Sequence, residues 1–198
     1  MDAVIHLAAQ VSVPVSIETF RDSSSTNLLG TISVLDFCRK HDIPLVYASS
    51  SAIYGNLALG DDESKKIDLL SPYAVDKYVM EIYAKAVFKL YGLSSIGLRF
   101  FNVYGPRQDP TSPYSGVISI FVDRLINGKS IVINGGHQTR DFVYVDDVVN
   151  CLYRSLEVCL ASCTCEQINV LTGYSVSIDE LVNMLSKDIM VDIDKIYQ

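Results

Sequence analysis

Apolar runs alternate with periodic, helix-length segments along the first half of the chain. Apolar stretches at 1–10 and 45–48 are typical of parallel strands that are buried on both faces of a sheet, the first of them a central strand. Residues 95–101 are predicted to be a third strand of the same parallel set. Apolar positions with a helical period predict helices over about 27–40 and 72–91. This alternation of strands and helices favours an α/β fold.

The segment before the first long helix predicts a short helix over 13–20 and then a polar link over 21–25. Thr26 or Asn27 is expected to cap the long helix, with four apolar positions facing inward. These positions are Leu28, Ile32, Leu35 and either Phe37 or Cys38.

The helix over 72–91 has clear start and stop signals. Ser71 is a favourable N-cap, Pro72 suits the first helical position, and Gly92 is a favourable residue just past the end. The stripe expected to be buried comprises Val75, Val79, Ile82, Ala86 and Leu90. At about 100° per residue, Tyr73 and Lys77 then fall roughly opposite this stripe, so core packing does not explain them.

The second half of the chain has shorter and less regular elements, which indicates a smaller lobe. The predicted elements are a helix over 117–127 closed by Gly128, a strand over 131–134, an extended segment over 142–145, a helix from Asp146 to about 156, a strand over 168–170 and a last helix opened by the capping box Ser177 to Glu180. In an α/β protein of this kind, a ligand cleft is expected at the carboxyl ends of the strands.

The composition is that of a globular protein. Hydrophobic residues make up 49% of the 198 residues, and the mean hydropathy is +0.25. The net charge of −7 argues against a nucleic-acid or anionic-membrane surface. Since no apolar run is as long as a membrane span and the N-terminus has no basic leader, a cytoplasmic location is expected.

Five cysteines form no disulfide framework, so free thiols in a reducing compartment are expected. Cys159, Cys163 and Cys165 are close in sequence, but no histidine lies near them and their spacing matches no zinc site. We therefore expect no metal. Residues 55–70 are irregular, and Asp61, Asp62 and Glu63 predict an acidic loop there.

Two short segments carry candidate chemistry. Tyr73 and Lys77 are spaced to share one helical face, and a nearby cation favours a phenolate, which could act as a general base. The same spacing is also common in ordinary amphipathic helices. The run Ser49 to Ser51 follows a predicted strand at the place where α/β sheets bind ligands, although it would equally suit a plain polar turn.

Four motifs at family-like spacing carry a more specific signal. They are Ser49–Gly55, Ser71–Lys77, Arg99–Arg107 and Thr139–Asp147. Together they resemble the extended short-chain dehydrogenase/reductase family, the NAD-dependent nucleotide-sugar epimerases and dehydratases, and most of all the UDP-hexose 4-epimerases. The resemblance implies a partial Rossmann-type parallel sheet at 1–106 and about 142–171. It also implies a partial, smaller substrate-binding lobe at about 107–141 and 172–198.

The resemblance also implies roles for individual residues. Tyr73 would be the proton acceptor, Lys77 would stabilise its phenolate, and Ser50 would bond the reacting sugar oxygen. The NAD-binding positions would be Ala8, Ala9, Asn27, Ser49, Tyr73, Lys77 and Phe101. The positions for the UDP-sugar would be Ser51, Asn102, Arg107, Val117 and Arg140, the last of these on the diphosphate.

The implied reaction is NAD-dependent 4-epimerisation of a UDP-hexose, of the UDP-N-acetylglucosamine or UDP-glucose type, through a 4-keto intermediate. Ser51 and Ala52 stand where dehydratases of the family carry an acid pair, which disfavours dehydration. The family's glycine-rich NAD turn and its second diphosphate arginine are not found, so the chain is expected to be a partial product. A non-catalytic remnant and a nucleotide-sugar dehydratase are the alternatives, and a homodimer is expected for the full-length family.

Overall fold

The computed structural model describes residues 1–56, 66–112, 114–189 and 195–197. The acidic loop predicted at Asp61, Asp62 and Glu63 lies outside these residues. The chain divides into two compact units. Unit 1 comprises Met1–Phe100 with Val148–Val170, and unit 2 comprises Phe101–Asp147 with Leu171–Gln198.

The helices and strands follow each other in this order. The first part of the chain contains β1 (Val4–His6), α1 (Val13–Glu18), α2 (Phe20–Ser24), a π-helical turn (Ser25–Leu29), α3 (Gly30–His41), β2 (Leu45–Ser50), a 3-10 turn (Ser51–Tyr54), α4 (Pro72–Tyr91) and β3 (Ser95–Phe100). The second part contains β4 (Asn102–Tyr104), α5 (Val117–Ile126), β5 (Ile131–Ile133), β6 (Thr139–Tyr144), α6 (Val145–Ala161), β7 (Cys165–Val170), β8 (Ser175–Ser177), α7 (Ile178–Ile189) and β9 (Lys195–Tyr197).

Unit 1 is built on a parallel sheet with the strand order β1-β2-β3-β7. Leu45 of β2 is opposite Ser95 of β3, which in turn is opposite Cys165 of β7. The α/β fold with a parallel sheet is therefore confirmed. The prediction of a central, buried first strand was wrong: among the described residues β1 pairs with β2 alone, and its Ile5 is 43% exposed.

The local signals at the ends of α4 were interpreted correctly. Ser71 Oγ accepts a hydrogen bond from the Ala74 amide at 3.1 Å, and Pro72 is the first helical residue. Gly92 has φ of +73°, a left-handed conformation that glycine adopts without strain. Helix α4 therefore runs over the predicted residues.

The buried face of α4 is the opposite of the one predicted. Val75 and Ile82 are exposed, and Leu90 is 72% exposed. The residues that are buried are Tyr73, Ala74, Asp76, Lys77, Met80, Glu81 and Ala84. The apolar stripe predicted the wrong buried face because polar side chains of α4 are buried with hydrogen-bond or ion-pair partners inside unit 1, as Lys77 and Glu81 show.

The region before α3 is more helical than predicted. Helix α1 ends at Glu18, and the expected polar link over 21–25 is instead helical, continuing into the π-helical turn. Asn27 lies inside that turn and is not an N-cap. Of the inward positions predicted for α3, Leu35 and Cys38 are buried, whereas Phe37 is 40% exposed.

The core of unit 1 in this region is formed by side chains of α3, β2 and α4 together with Leu93, which follows α4. Its buried members are Leu35, Cys38, Leu45, Tyr47, Met80, Ala84 and Leu93. This packing fixes α4 against β2, and with it the two elements that carry Tyr73 and Ser50.

Unit 2 contains a three-stranded sheet with the order β4-β6-β8 and a two-stranded sheet of β5 and β9. Its core consists of Phe121, Leu125, Ile131, Ile133, Ile178, Leu181 and Val182. Strands β8 and β9 were not predicted. The capping box at the start of α7 was predicted correctly. The Glu180 amide donates a hydrogen bond to Ser177 Oγ at 3.1 Å, and the Ser177 amide donates one to Glu180 Oε2 at 2.9 Å. Helix α6 starts at Val145, one residue before the predicted cap.

Candidate active site

The centre of the candidate site in unit 1 is the pair of Tyr73 and Ser50. Tyr73 is in the first turn of α4, and Ser50 is the last residue of β2. Tyr73 is 8% exposed, and burial raises the pKa of its phenol. Interaction with the Ser50 side chain opposes this rise. The phenol therefore holds its proton at neutral pH.

Lys77 is buried one helical turn after Tyr73. Its Nζ lies 5.7 Å from the centroid of the Tyr73 ring and donates to the carbonyl oxygen of Ala48 at 2.7 Å. Burial lowers the pKa of Lys77 to about 8, against the opposing charge of Asp76. The expectation that Lys77 would hold the pKa of Tyr73 down is not met, because that pKa is raised and Ser50 is the group that opposes the rise.

Two titratable groups that sequence reasoning had not assigned to the site surround Lys77. His6, expected to be a core residue, is half-buried; burial and the Lys77 charge both lower its pKa. Its Nε2 lies 3.1 Å from Thr31 Oγ1. Burial raises the pKa of Asp76, whose Oδ1 accepts a hydrogen bond from Ser24 Oγ at 2.8 Å. In the sequence, only the position of Asp76 beside Lys77 could have indicated this role.

Asn27 supports the turn that follows β1. Its Oδ1 accepts from the Gln10 amide at 2.8 Å, and its Nδ2 donates to the Gln10 carbonyl at 2.9 Å. The turn carries Ala8, which is exposed, and Ala9, which is half-buried. Since both atoms of the Asn27 amide group are engaged by backbone, this residue positions the turn.

Ser49 and Ser51 flank Ser50 but have different surroundings. Ser49 is buried, and its Oγ donates to Glu81 Oε1 at 2.6 Å. Ser51 is half-buried and begins the 3-10 turn, which Ser50 caps by accepting from the Ala52 amide at 3.1 Å. Ser50 is the serine of this run whose side chain lowers the pKa of Tyr73.

The remaining predicted residues lie in unit 2. Phe101 is buried, Val117 is the half-buried first residue of α5, and Arg107 is exposed with φ of +70°. Arg140 is exposed and donates to the Thr139 carbonyl at 2.8 Å.

Asp141 of unit 2 is next to two predicted substrate residues, Asn102 and Arg140. Its carbonyl oxygen accepts from Asn102 Nδ2 at 3.2 Å, and it directly follows Arg140. Its buried carboxylate accepts from the amides of Thr172 and Gly173 at 2.9 and 2.8 Å. Sequence reasoning missed Asp141, because an aspartate inside a strand carries no distinctive spacing.

Two further properties bear on which chemistry the described residues support. Over the described ranges there is no cluster of three or more His, Cys, Asp or Glu side chains suited to a metal ion. Within those same ranges, no helix combines the length and the apolar character needed to cross a membrane.

Comparison with protein families gives a match over most of the chain. Residues 1–170 match the family described as the NAD dependent epimerase/dehydratase family. The chain belongs to this family. The resemblance seen in the four motifs is thereby confirmed.

Individual relatives are similar over nearly the whole chain. The chain is 43% identical over 193 residues to a Methanocaldococcus jannaschii protein provisionally named a UDP-glucose 4-epimerase, covering 96% of this chain and 61% of that protein. The structure superposes on a UDP-N-acetylglucosamine 4-epimerase from Methanobrevibacter ruminantium, in complex with UDP-N-acetylmuramic acid, with a TM-score of 0.91 and 38% identity. That match covers 100% of this chain and 63% of the other.

A second solved structure has a similar relationship to the chain. The UDP-glucose 4-epimerase of Thermotoga maritima, solved with UDP-glucose, gives a TM-score of 0.92 at 33% identity, covering 100% of this chain and 64% of that one. The chain thus spans less than two thirds of the length of these relatives.

Proposed function

We propose that this chain carries the proton-transfer residues of an NAD-dependent 4-epimerase that acts on a UDP-hexose. The observation that carries the proposal is the buried Lys77 Nζ, 5.7 Å from the centroid of the Tyr73 ring, with Ser50 at the end of β2 interacting with the same phenol. Ser50 ends a strand of a parallel sheet, which is where such sheets bind ligands. A serine and a tyrosine paired there can share one substrate hydroxyl between them.

Tyr73 has the acid–base role in this proposal. As a phenolate, its Oη accepts the proton of the sugar 4-hydroxyl, and the resulting phenol returns that proton to the 4-keto oxygen once the sugar has presented its other face. Ser50 donates a hydrogen bond to the same sugar oxygen. Because burial raises the pKa of Tyr73, the phenol must first release its own proton to solvent, and the raised pKa then favours acceptance of the proton from the sugar.

The residues around Lys77 fit the nicotinamide–ribose end of NAD. An ammonium group has three N–H donors. The described residues offer Lys77 Nζ one hydrogen-bond acceptor, the carbonyl oxygen of Ala48, which leaves two donors for ribose hydroxyls. When bound, NAD⁺ supplies a reversible hydride acceptor. Tyr73 and Ala8 belong to the same proposed binding set, with Asn27 holding the turn that carries Ala8.

The 3-10 turn after β2 favours epimerisation over dehydration. Water loss from the sugar requires an acid and a base in addition to the tyrosine. Ser51 and Ala52, which open this turn directly after Ser50, supply no carboxylate. This supports an epimerase in preference to a dehydratase.

The proposed substrate is a UDP-sugar of the glucose or N-acetylglucosamine type. The relatives are named for UDP-glucose, UDP-N-acetylglucosamine and UDP-glucuronate. In unit 2, Arg140 is an exposed guanidinium suited to a diphosphate. Asn102 of β4 is opposite Phe142 of the neighbouring strand β6, which also carries Arg140. Ser51, Arg107 and Val117 complete the proposed substrate set.

A homodimer belongs to the same proposal. Helix α4 exposes a row of apolar side chains that includes Val75, Ile82 and Leu90. Such a row is unusual on a solvated helix and suits burial against a second copy. Sedimentation velocity of the purified chain would test this, and a monomer at micromolar concentration would contradict it.

A product assay tests the enzymatic proposal. The purified chain is incubated with NAD⁺ and, separately, with UDP-glucose, UDP-N-acetylglucosamine and UDP-glucuronate, and the products are identified by proton NMR. We expect the C4 epimer of at least one substrate, and no product with Tyr73→Phe. A stable 4-keto-6-deoxy sugar would identify a dehydratase. No product from any substrate, together with no NAD binding by calorimetry, would identify a non-catalytic chain.

A further inference from the structure

A buried polar network occupies unit 1 next to the Ser50–Tyr73 pair. Its centre is the ion pair of Glu81 and Arg99, whose side chains are 1% and 6% exposed. Arg99 Nε donates to Glu81 Oε1 at 2.9 Å, and Arg99 Nη2 donates to Glu81 Oε2 at 2.8 Å. This two-pronged geometry fixes both side chains relative to each other.

The network extends to a tyrosine and to the last strand of the sheet. Arg99 Nη1 donates to the Tyr54 hydroxyl at 2.8 Å, and that hydroxyl donates to Asn169 Oδ1 at 2.7 Å. The guanidinium also lies 5.4 Å from the centroid of the Tyr54 ring. The network therefore joins α4, β3 and β7 with the end of the 3-10 turn.

The segment that carries Ser50 is fastened to this network at both ends. Ser49, one residue before Ser50, donates from its Oγ to Glu81 Oε1 at 2.6 Å. Tyr54, four residues after Ser50, is held by Arg99. Ser50 itself is left to cap the turn and to meet Tyr73.

Glu81 is on the same face of α4 as the two proposed catalytic residues. Tyr73, Lys77 and Glu81 are spaced by four residues, and all three are buried. The first turn of this helix face therefore carries the Tyr73 phenol. Two turns later, Glu81 holds the segment that contains Ser50. The hydrogen bonds of Glu81 and Arg99 described above go to Ser49, to Tyr54 and to each other, not to Tyr73.

We propose that Glu81 and Arg99 are positioning residues for proton transfer, which clamp the segment from Ser49 to Tyr54 onto α4 and so hold Ser50 against Tyr73. This role rests on the proposed function. A buried ion pair gives little net stability compared with apolar side chains of the same volume, because both charges lose their hydration. What the pair supplies here is a fixed distance and direction between α4 and the end of β2.

The test measures the Tyr73 phenol directly and does not require turnover. Tyrosines of the full chain are labelled with 13C at Cζ, and the Tyr73 signal is identified by its loss in Tyr73→Phe. Its chemical shift and its titration are then followed with pH. Ser50→Ala defines the position of the signal when the serine hydroxyl is absent.

In Glu81→Gln we expect the Tyr73 signal to move toward its position in Ser50→Ala, with a higher titration midpoint. The reason is that the neutral amide cannot hold Arg99 and Ser49 as the carboxylate does. The matched control is Glu157→Gln, which removes the charge of an exposed glutamate 3.7 Å from Arg154. This control is expected to leave the Tyr73 signal unchanged.

A Tyr73 signal that stays at its wild-type position in folded Glu81→Gln overturns the proposal, whatever the change in melting temperature. If that variant does not fold, Tyr54→Phe replaces it, since it keeps the ion pair and removes only one anchoring hydroxyl. It should move the signal in the same direction by a smaller amount, and no movement would again overturn the proposal. Absence of epimerase activity in the wild type would contradict the proposed function but leave this measurement intact.

Discussion

Lys77 faces the ring of Tyr73 with its Nζ 5.7 Å from the ring centroid, while its hydrogen bond goes to the carbonyl oxygen of Ala48 at 2.7 Å. The cation is therefore held by backbone, and the phenol is paired with Ser50. The Tyr-x-x-x-Lys spacing had suggested that Lys77 lowers the pKa of Tyr73, but Ser50 is the group that does so. The ligand-binding role proposed for Lys77 does not depend on that effect.

Under the proposed function, replacing Tyr73 with Phe should reduce epimerisation by about 10²- to 10⁴-fold, the usual contribution of a general acid–base group. The change removes one hydroxyl, so the fold should persist. Turnover by proton NMR and melting by circular dichroism measure the two effects. Tyr153→Phe, which alters an exposed tyrosine of α6, is the control and should behave as wild type in both assays.

The buried Lys77 should make stability depend on pH. Its pKa is about 8 in the folded protein, compared with 10.5 for the unperturbed side chain. Below pH 8 both states bind the proton, and the cost of burying the charge is fully present. Between pH 8 and 10.5 only the unfolded chain binds it, so the free energy of unfolding rises with pH. The total rise is about 3 kcal/mol.

Chemical denaturation of the wild type and of Lys77→Met at several pH values measures this contribution. The wild type should gain stability relative to the variant as the pH rises from 7 to 10. Taking the difference between the two proteins cancels the tyrosines and cysteines that titrate in the same range. A constant difference across that range would show that Lys77 keeps its ordinary proton affinity.

The same substitution should raise the pKa of His6. Burial is the larger cause of its lowered pKa, and the positive charge of Lys77 is the second. Removing the charge therefore moves the pKa of His6 partway back toward 6.5. Proton NMR of the three histidine rings measures it, with His41 and His137 as internal references. If the pKa of His6 is the same in Lys77→Met as in the wild type, the charge of Lys77 does not affect His6.

Gly97 is required by the packing of Tyr47 across the sheet. The two residues are opposite each other in register, and a Cβ on Gly97 would lie 2.6 Å from the Cζ and hydroxyl oxygen of Tyr47. Tyr47 is buried, so its ring has little room to move. Gly97→Ala should lower the free energy of unfolding by about 1–3 kcal/mol, the usual cost of overpacking a core.

Gly30→Ala is the matched control for this measurement. Gly30 has helical dihedral angles, and a Cβ there meets nothing within 4 Å. Alanine should therefore be neutral or should stabilise the protein by up to about 1 kcal/mol. Equal effects of the two substitutions on urea denaturation would contradict the close approach of Tyr47 to Gly97.

The sequence allowed correct prediction of features that depend on neighbouring residues. Ser71, Pro72 and Gly92 bounded α4 correctly, because capping is a local interaction between a side chain or turn and the helix end. The capping box of Ser177 and Glu180 was correct for the same reason. The order of apolar runs predicted the strands of the parallel sheet.

The face of α4 was predicted wrongly because burial depends on partners that lie far away in sequence. Glu81 is buried through Arg99, and Lys77 through the carbonyl of Ala48. Hydrophobicity alone assigns such residues to the solvent side and their apolar neighbours to the core. The Ser50–Tyr73 pair was thus expected from family resemblance, whereas its supporting residues became visible only in three dimensions.

The order of strands in unit 1 has a consequence for protein synthesis. Strand β3 has β7 as a neighbour, although Ser95 and its partner Cys165 are 70 residues apart. One edge of β3 therefore stays unpaired while the ribosome makes the whole of 101–164. Backbone groups on an open edge readily pair with other chains. A nascent chain stalled before Cys165 should thus need chaperone protection, and that need should fall once β7 has emerged.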